Sequence, residues 1–211
     1  MSQAEQLHKG LMTMGLDLPV ERHESLLTYI SLLYKWNKTY RLTALREQDK
    51  AVSHHLLDSL SIFPILPVGD ILDVGSGGGT PGIPLAIACP ERKVTLIDSN
   101  SKKTAFLRQV AIELDLTNIS VHCGRVEQYH PVLGGFAVIV SRAFAELRDF
   151  VDLSRHLLRP EGSWLAMKGV WPREEITRLP NDVRVQAVYP LSVPGVDGER
   201  HVVEMRVMAG E

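Results

Sequence analysis

The fold is decided by the stretch Ile71-Leu-Asp-Val-Gly-Ser-Gly-Gly-Gly-Thr-Pro-Gly82. Its first four residues predict a short buried strand, and the five glycines among the next eight residues predict a tight turn at the end of that strand. Glycine allows positive φ and lets the backbone approach a ligand closely. Because ligands of open α/β sheets bind beyond the carboxyl ends of the strands, the stretch predicts a site for a nucleotide-like ligand. A purely structural tight turn is the alternative.

Two ligand classes fit the spacing of the glycines. The register Gly75-x-Gly77-x-Gly79 is typical of S-adenosylmethionine-dependent methyltransferases, whereas Gly77-x-Gly79-x-x-Gly82 matches the dinucleotide fingerprint of NAD-dependent oxidoreductases. A P-loop is excluded because no Lys-Ser or Lys-Thr follows the glycines. The turn alone therefore predicts a bound nucleotide without choosing between the two cofactors.

Asp98 strengthens the prediction of an adenosine-containing cofactor. It ends the second predicted strand, where a carboxylate can accept hydrogen bonds from the ribose hydroxyls of either cofactor. Capping of the next helix is the alternative role for this acid. Pro81, Pro84 and Pro90 leave room for only a short helix after the turn, which suits a pyrophosphate poorly and favours S-adenosylmethionine.

Strands and helices alternate along the rest of the chain. The later predicted strands cover residues 93–98, 119–122, 136–141 and 162–168, and the predicted helices cover 84–89, 101–114 and 146–158. This alternation predicts a parallel sheet with right-handed crossovers. The last two strands, 183–189 and 201–207, are joined by a loop too short for a crossover helix, so they should be antiparallel. We therefore predict an α/β protein with the Rossmann-like class I methyltransferase fold, a mostly parallel sheet of the seven-stranded type ending in an antiparallel hairpin.

The N-terminal third shows helical patterns instead. Apolar residues recur at helical spacing over residues 23–36 and 49–63, and Pro64 and Pro67 then break the pattern. We predict an N-terminal helical extension over residues 1–67. An S-adenosylmethionine-binding methyltransferase domain is predicted over residues 68–211, packed with the extension as one compact unit.

Composition and charge exclude several function classes. The net charge of −2 and the pI of about 6.4 argue against nucleic-acid binding by the whole chain, so any RNA contact must come from a local patch. Cys89 and Cys123 form no Cys-x-x-Cys pair. His54, His55 and Asp58 share a helix face, but without a further ligand they are better explained by hydrogen bonds to the main domain. No metal site is predicted.

The chain is expected to be cytoplasmic and to have no membrane contact. No apolar run approaches the ~20 residues that span a bilayer. Residues 1–15 lack the basic-then-apolar layout of a signal peptide. Oligomeric state is not readable from the sequence, and a monomer is the default expectation.

Seven short motifs identify a family resemblance. They are Trp36-Asn37-Lys38, Leu42-Thr43, His55-x-x-Asp58-Ser59-Leu60, Asp73-Val74-Gly75, Pro81-Gly82-Ile83-Pro84, Ser141-Arg142-Ala143 and Gly198-Glu199-Arg200-His201. From about Tyr29 to its end, the chain resembles the RsmG (GidB) family of bacterial 16S ribosomal RNA guanine-N7 methyltransferases. The resemblance implies S-adenosylmethionine as the cofactor. It also implies that guanine 527, in the 530 loop of 16S RNA within the small ribosomal subunit, is methylated at N7.

The resemblance also assigns cofactor contacts, in addition to those expected at Gly77, Gly79 and Asp98. The implied contacts are Gly75, Thr80, Val126, Glu127 and Arg142. Two residues depart from the family pattern. Arg41 stands where the family usually has Asn, on the suspected RNA side, and Thr80 stands where it usually has a bulky apolar residue.

The proposed chemistry requires no general base. Guanine N7 carries an in-plane lone pair and loses no proton on methylation, so the task is alignment and desolvation, and no catalytic residue is assigned. Ser141-Arg142-Ala143-Phe144 occupies the place where enzymes that methylate exocyclic amines carry Asp/Asn-Pro-Pro-aromatic, which favours a ring nitrogen. Arg142 is the predicted positioning residue, pairing with the methionine carboxylate, an RNA phosphate or the guanine edge. A surface salt bridge is its alternative.

A cationic stretch precedes the main domain. Its cations are Lys35, Lys38, Arg41, Arg46 and Lys50. Trp36 and Tyr40 lie among them, as expected for a strip that binds phosphates and stacks on bases, although a solvated helix end with buried aromatics fits equally. The loop over residues 194–201 should reach the same sheet edge as the cofactor. The predicted RNA contacts are Lys38, Arg41, Arg200 and His201.

Two other functions stay open at this level. An NAD-dependent oxidoreductase would use the second glycine register. A non-catalytic ribosome-binding module would keep the fold with a vestigial pocket.

Overall fold

A seven-stranded sheet forms the centre of the computed structural model, which describes residues 1–45, 47–131 and 134–208. The strands are β1 (Ile71–Val74), β2 (Val94–Asp98), β3 (Ile119–Cys123), β4 (Phe136–Arg142), β5 (Leu158–Lys168), β6 (Val183–Pro190) and β7 (His201–Val207). Their spatial order is β3-β2-β1-β4-β5-β7-β6, with β1 to β5 parallel and β7 antiparallel to both of its neighbours. The predicted mostly parallel sheet with a C-terminal antiparallel hairpin is confirmed.

The strand order reverses between β1 and β4, which is the usual place for a ligand in an open sheet. The glycine-rich turn follows β1, and Arg142 ends β4. Both therefore lie at the carboxyl edge of the sheet, on either side of the reversal. The topology thus places the predicted cofactor turn and the predicted positioning residue next to each other.

Helices cover both faces of the sheet. They are α1 (Gln3–Thr13), α2 (Val20–Tyr40), α3 (Asp58–Leu60), α4 (Gly82–Ala88), α5 (Ser101–Glu113), α6 (Leu147–Ser154) and α7 (Arg173–Ile176). Short 3₁₀ turns occur at Gln48–Lys50, Phe63–Ile65, Val126–Gln128 and Arg155–Leu157. No helix in the described part of the chain is both long and apolar enough to span a bilayer.

The helix predicted over residues 49–63 is not one α-helix. It consists of a 3₁₀ turn, a π-helical segment (Val52–Leu57) and the short α3. Over so short a segment, the spacing of apolar residues does not distinguish a π-helix from an α-helix. The sequence analysis therefore did not predict the π-helical segment. π segments occur often at functional sites, and this one carries His54 and His55 and runs directly into Asp58.

The sequence interpretation also omitted α1, although its signal was present. Ser2 accepts a hydrogen bond from the backbone N–H of Glu5, and the Glu5 side chain accepts one from the backbone N–H of Ser2. This reciprocal pair is the capping box that the pattern Ser-x-x-Glu predicts. The helix then buries Leu7 and Leu11.

One hydrophobic cluster joins the N-terminal helices to the sheet. Leu26, Tyr29 and Leu33 of α2 are buried in the same cluster as Ile83 of α4 and Val140 of β4. A second cluster on the opposite face contains α6 and the inner side chains of β5 and β7. The N-terminal segment therefore lies against the sheet beside the glycine turn. A domain boundary at residue 67 stays a prediction.

Candidate functional site

The glycine-rich turn requires its glycines. Gly75, Gly77 and Gly79 have φ values of +69°, +55° and +99°, which residues with a Cβ rarely adopt. Ser76 holds the turn from within, since its hydroxyl donates to the Asp73 carbonyl at 2.8 Å. The backbone therefore turns sharply at the end of β1, as the sequence predicts.

Gly82 serves a different purpose from the other glycines. A Cβ there would lie 2.2 Å from Cδ2 of Leu96 and 2.6 Å from Oδ2 of Asp73, so this glycine is needed for close packing of α4 on the sheet. Its N–H donates to that Asp73 oxygen at 3.0 Å. The third glycine of the dinucleotide register has the same packing role, so Gly82 does not distinguish between the two registers.

Asp73 is buried beneath the turn. Burial raises its pKa from 3.8 to about 7, while the Gly82 N–H and the Arg142 charge oppose that shift. Within the described residues, its Oδ1 has no hydrogen-bond partner. The carboxyl group is therefore poised to change its protonation state near neutral pH.

Helix α2 supports the turn from the other side. The hydroxyl of Tyr29, fully buried, donates to the Gly78 carbonyl at 2.8 Å. Burial raises the pKa of this phenol, so it stays a neutral donor. The N-terminal segment is thereby part of the structure that shapes the turn.

A cavity of about 420 Å³, the Gly75 cavity, opens where the turn meets β2. Its wall includes Gly75, Asp98, Val126 and Glu127, which are four of the predicted cofactor contacts, together with the half-buried Phe144. The Gly77 N–H donates to Oδ2 of Asp98 at 2.9 Å. A carboxylate beside an apolar wall and an open backbone turn fits the ribose and adenine of an adenosine cofactor.

Asp98 is not the cap of α5. Asn100 is the N-cap, and its side chain accepts from the N–H groups of Lys102 and Lys103. Asp98 instead accepts from the Asn100 N–H at 2.8 Å through Oδ1. Each carboxylate oxygen can accept a second hydrogen bond, so capacity for ribose hydroxyls remains.

Arg142 lies on the wall of a second cavity, of about 480 Å³, which we call the Asp58 cavity. Its Nη1 donates to the His54 carbonyl at 2.8 Å and to Oδ2 of Asp58 at 2.9 Å, and its Nη2 donates to the Thr80 hydroxyl. The two cavities share Ala143. Neither Thr80 nor Arg142 lines the Gly75 cavity. Thr80 belongs to the turn that borders this cavity, and Arg142 directly precedes Ala143, which lines it.

Asp58 is the site residue that sequence reasoning left out. It is only 4% exposed, and its second oxygen, Oδ1, accepts from Nε of Arg200 at 3.1 Å. Its helical spacing from His54 and His55 was the available signal in the sequence. Asp58 makes hydrogen bonds from the helix to the main domain, which is the explanation favoured above over a metal site. Arg200 and His201 both line the Asp58 cavity, and Nδ1 of His201 lies 2.8 Å from the Gly169 carbonyl.

His55 lies behind Asp58 on the same wall. It is buried, and its Nε2 lies 3.3 Å from the Thr43 hydroxyl. Burial, reinforced by the charge of Arg142, lowers its pKa from 6.5 to about 3, so the imidazole is neutral at physiological pH. This histidine therefore contributes a neutral, buried side chain to the wall of the Asp58 cavity and no positive charge.

Lys38 and Arg41 line a third cavity, the Arg41 groove, of about 690 Å³. Lys103 belongs to both this groove and the Gly75 cavity, so the groove adjoins the cofactor side. The structure therefore does not bring the four predicted RNA contacts together, because Arg200 and His201 lie on the Asp58 cavity instead. Arg46, part of the cationic stretch, lies outside the described residues.

The aromatic residues of the cationic stretch divide between two roles. Trp36 packs against Phe106 of α5 with ring centroids 5.6 Å apart, as a core aromatic does. Tyr40 is 42% exposed at the end of α2 and contacts Trp36 at 5.3 Å. Only Tyr40 is thus open to a stacking partner.

Comparison with known proteins agrees with this geometry. The profile of the family described as "GidB: rRNA small subunit methyltransferase G" matches residues 22–203. A protein of Neisseria meningitidis serogroup B named "Ribosomal RNA small subunit methyltransferase G" is 55% identical over 204 residues, covering 96% of this chain and 98% of its own. The protein of that name from Pseudomonas paraeruginosa is 54% identical over 204 residues, covering 96% of this chain and 95% of its own.

Solved structures share the fold at low sequence identity. A glycopeptide N-methyltransferase in complex with S-adenosylmethionine is 15% identical, with a TM-score of 0.63, covering 74% of this chain and 88% of its own. A ribosomal protein L11 methylase from Lactobacillus delbrueckii subsp. bulgaricus is 16% identical, with a TM-score of 0.55, covering 78% of this chain and 81% of its own. The likeness shows a common methyltransferase fold.

Proposed function

This chain belongs to the rRNA small subunit methyltransferase G family, and on that premise we propose that it transfers a methyl group to N7 of guanine 527 in 16S ribosomal RNA. It is an S-adenosylmethionine-dependent rRNA methyltransferase. The observation that carries the proposal is the contact of the two cavities at Ala143, directly after Arg142. One cavity fits the methyl donor, and the other is open for the base.

The residues of the Gly75 cavity would hold the cofactor. Asp98 retains the capacity to accept hydrogen bonds from ribose hydroxyls, and Val126 supplies a buried apolar surface for a ring. Gly77 lies in the turn next to this cavity rather than in its lining, and the space at its Cα is open, because a Cβ there would contact only the Gly75 carbonyl at 3.7 Å. When bound, S-adenosylmethionine supplies an electrophilic methyl group on a sulfonium.

The reaction requires the protein to align guanine N7 with the methyl group and requires no proton transfer. Guanine N7 would attack that methyl group with its in-plane lone pair, so no residue of the site has to remove a proton first. No proton leaves N7, so a neutral, buried His55 is no handicap. The protein's contribution is to hold both reactants in line and to exclude water.

RNA contacts are proposed on both sides of the cofactor. Lys38 and Arg41 of the Arg41 groove would hold backbone phosphates, and Arg200 and His201 would contact the RNA at the Asp58 cavity. With a net charge of −2, the chain suits a preformed ribosomal surface better than free RNA. Its place of action would be the cytoplasm, where small subunits assemble.

The test is methyl transfer to small subunits from a strain that lacks this gene. After incubation with methyl-labelled S-adenosylmethionine, the RNA is digested to nucleosides. We expect label in 7-methylguanosine, at the guanine of the 530 loop, and none with subunits from the parent strain, which are already methylated. Label in another nucleoside, or none although S-adenosylhomocysteine binds, would overturn the proposal.

A variant pair tests the role of Arg142. Arg142→Ala should reduce methyl transfer by at least about tenfold, because the guanidinium connects the turn to the Asp58 cavity. Arg155→Ala is the matched control, since Arg155 pairs with the exposed Asp182 away from all three cavities. Calorimetry with S-adenosylhomocysteine and NAD side by side distinguishes the cofactors, and binding of NAD alone would contradict the assignment.

A further inference from the structure

Resting on the proposed function, we propose that Asp58 is a positioning residue that holds Arg142 and Arg200 together on the wall where the target guanine enters. The three side chains line the Asp58 cavity, of about 480 Å³, which shares Ala143 with the Gly75 cavity. A base that reaches this cavity therefore lies beside the methyl donor. Its neighbours there are the two guanidinium groups.

The pairing geometry shows that Asp58 acts on both arginines at once. Its Oδ2 accepts from Arg142 at 2.9 Å and its Oδ1 accepts from Arg200 at 3.1 Å. The carboxylate side chain is 5% exposed, whereas the arginine side chains are 23% and 28% exposed. The acid is thus buried behind two partly open cations, which would repel each other without it.

Both guanidinium groups keep donors for a ligand. An arginine has five N–H donors. Within the described residues, Arg142 uses three of them, on His54, Asp58 and Thr80, and Arg200 uses two, on Asp58 and the Glu199 carbonyl. The remaining donors are available to acceptors of the nucleotide. Guanine O6, the neighbour of N7, is the acceptor that arginine commonly contacts.

The charge of Asp58 also suits the reaction. Methylation at N7 moves a positive charge from the sulfonium onto the guanine ring. Two guanidinium groups without a counterion would oppose that movement, and Asp58 neutralises one of them. Loss of the carboxylate should therefore lower kcat.

Asp58 connects three distant parts of the chain. It follows the π-helical segment, Arg142 ends β4, and Arg200 precedes β7 at the end of the hairpin loop. The hairpin loop is thereby fixed to the N-terminal helices across the cavity. Removing the carboxylate should free that loop while the sheet stays intact.

A double-mutant cycle tests the proposal with Asp58→Asn, Arg200→Gln and the double variant. The amide introduced by Asp58→Asn would keep the shape of the side chain but place an N–H₂ donor against an arginine donor. Each single variant should lose at least about tenfold in kcat/KM on unmethylated small subunits, with affinity for S-adenosylhomocysteine changed less than about threefold. The kcat/KM of the double variant should be about that of the less active single variant, because both substitutions break the same Asp58–Arg200 ion pair.

The matched control is Glu204→Gln. Glu204 is also a buried carboxylate bonded to an arginine, Arg206, but it lines none of the cavities. Its loss should lower the melting temperature and leave kcat and KM unchanged. If Asp58→Asn does not fold, Arg200→Lys is compared with Arg200→Gln, and the lysine should recover part of the activity because it can still pair with Asp58.

Three outcomes would overturn the inference. They are wild-type kinetics in Asp58→Asn, multiplicative losses in the double variant, and equal kinetics for Arg200→Lys and Arg200→Gln. If the wild-type protein methylates small-subunit RNA and any of these results is seen, the role of Asp58 fails while the proposed function stands. If the wild-type protein transfers no methyl group, the proposed function itself fails.

Discussion

The backbone N–H of Gly77 donates to Oδ2 of Asp98 at 2.9 Å, so the acid that ends β2 also holds the turn that follows β1. The side chain of Lys103 lies 3.8 Å from the same oxygen. Asp98 is therefore fixed in place before any ligand arrives. A preformed acceptor loses little side-chain freedom on binding, which favours affinity.

Asp98→Asn tests the proposed ribose contact. The amide keeps the shape but loses the charge and half of the acceptor capacity, so affinity for S-adenosylhomocysteine should fall about tenfold, as expected for loss of one charge-assisted hydrogen bond. Titration calorimetry measures it. Asp182→Asn, at an exposed ion pair with Arg155, is the control and should bind as the wild type does. Unchanged affinity in Asp98→Asn would rule out the contact.

Thr80→Val tests whether the Thr80 hydroxyl serves the cofactor or Arg142. In the structure it accepts from Nη2 of Arg142, which keeps its other bonds to His54 and Asp58. We therefore expect kcat to fall only about two- to fivefold and S-adenosylhomocysteine affinity to stay within about twofold.

The matched control for that variant is Thr104→Val, which removes the hydroxyl of another buried threonine that bonds only within α5. It should affect stability alone. A large loss of cofactor affinity in Thr80→Val, absent in Thr104→Val, would show that the hydroxyl contacts the cofactor directly. The bulky apolar residue that the family resemblance implies at position 80 could not accept this hydrogen bond, which agrees with a small effect of Thr80→Val on kcat.

Arg41→Asn should separate stability from RNA binding. Arg41 is the C-cap of α2 with φ 51° and ψ 55°, a left-handed conformation that asparagine adopts more easily than arginine. The variant should gain about 0.5–1 kcal/mol in the free energy of unfolding, measured by urea denaturation. It should also bind small subunits more weakly, because one cation of the Arg41 groove is removed.

Lys38→Gln is the comparison for Arg41→Asn. It removes a cation from the same groove within regular helix, so it should weaken binding to the subunit without gaining stability. Binding measured at several salt concentrations should show a slope reduced by about one for each lost phosphate contact. If Arg41→Asn is less stable than the wild type, the backbone explanation is wrong.

His55 and Asp73 should produce opposite pH dependences of stability. The pKa of His55 is lowered from 6.5 to about 3, so only the unfolded chain takes up its proton between these values, and stability falls as pH falls below 6.5. The pKa of Asp73 is raised from 3.8 to about 7, so the folded chain holds the proton longer, and stability falls as pH rises from 4 towards 7. Between pH 4 and 6.5 the two effects oppose each other.

Substituting one of the two groups removes its contribution to the pH dependence of stability and leaves that of the other group. Relative to wild type, His55→Gln should become less stable as pH rises from 4 to 6.5, and Asp73→Asn should become more stable. Each difference should change by up to about 1.4 kcal/mol per pH unit. Urea denaturation across this range measures both. Curves parallel to that of the wild type would show that these two groups do not titrate with shifted pKa values.

Much of the fold was predictable from local patterns. The boundaries of β1 and β7 agree with the predicted strands, because short buried strands bounded by glycine and charged residues are recognisable in isolation. The π-helical segment was not, since apolar spacing carries no information about a single extra residue per turn. The predicted helix over residues 146–158 ends at Ser154. A 3₁₀ turn over Arg155–Leu157 follows it, and β5 begins at Leu158, which pairs with Phe136.

The sequence by itself determined the order of the strands and the glycine turn with its acid, because short buried strands and glycine-rich turns are recognisable from local sequence. The tertiary structure decided which charges meet. Asp58 lies 84 residues from Arg142 and 142 residues from Arg200, and these side chains meet only because β4 lies inside the sheet and the hairpin returns to the N-terminal helices. No local pattern encodes a pairing between three segments so far apart, since it depends on how the sheet orders its strands.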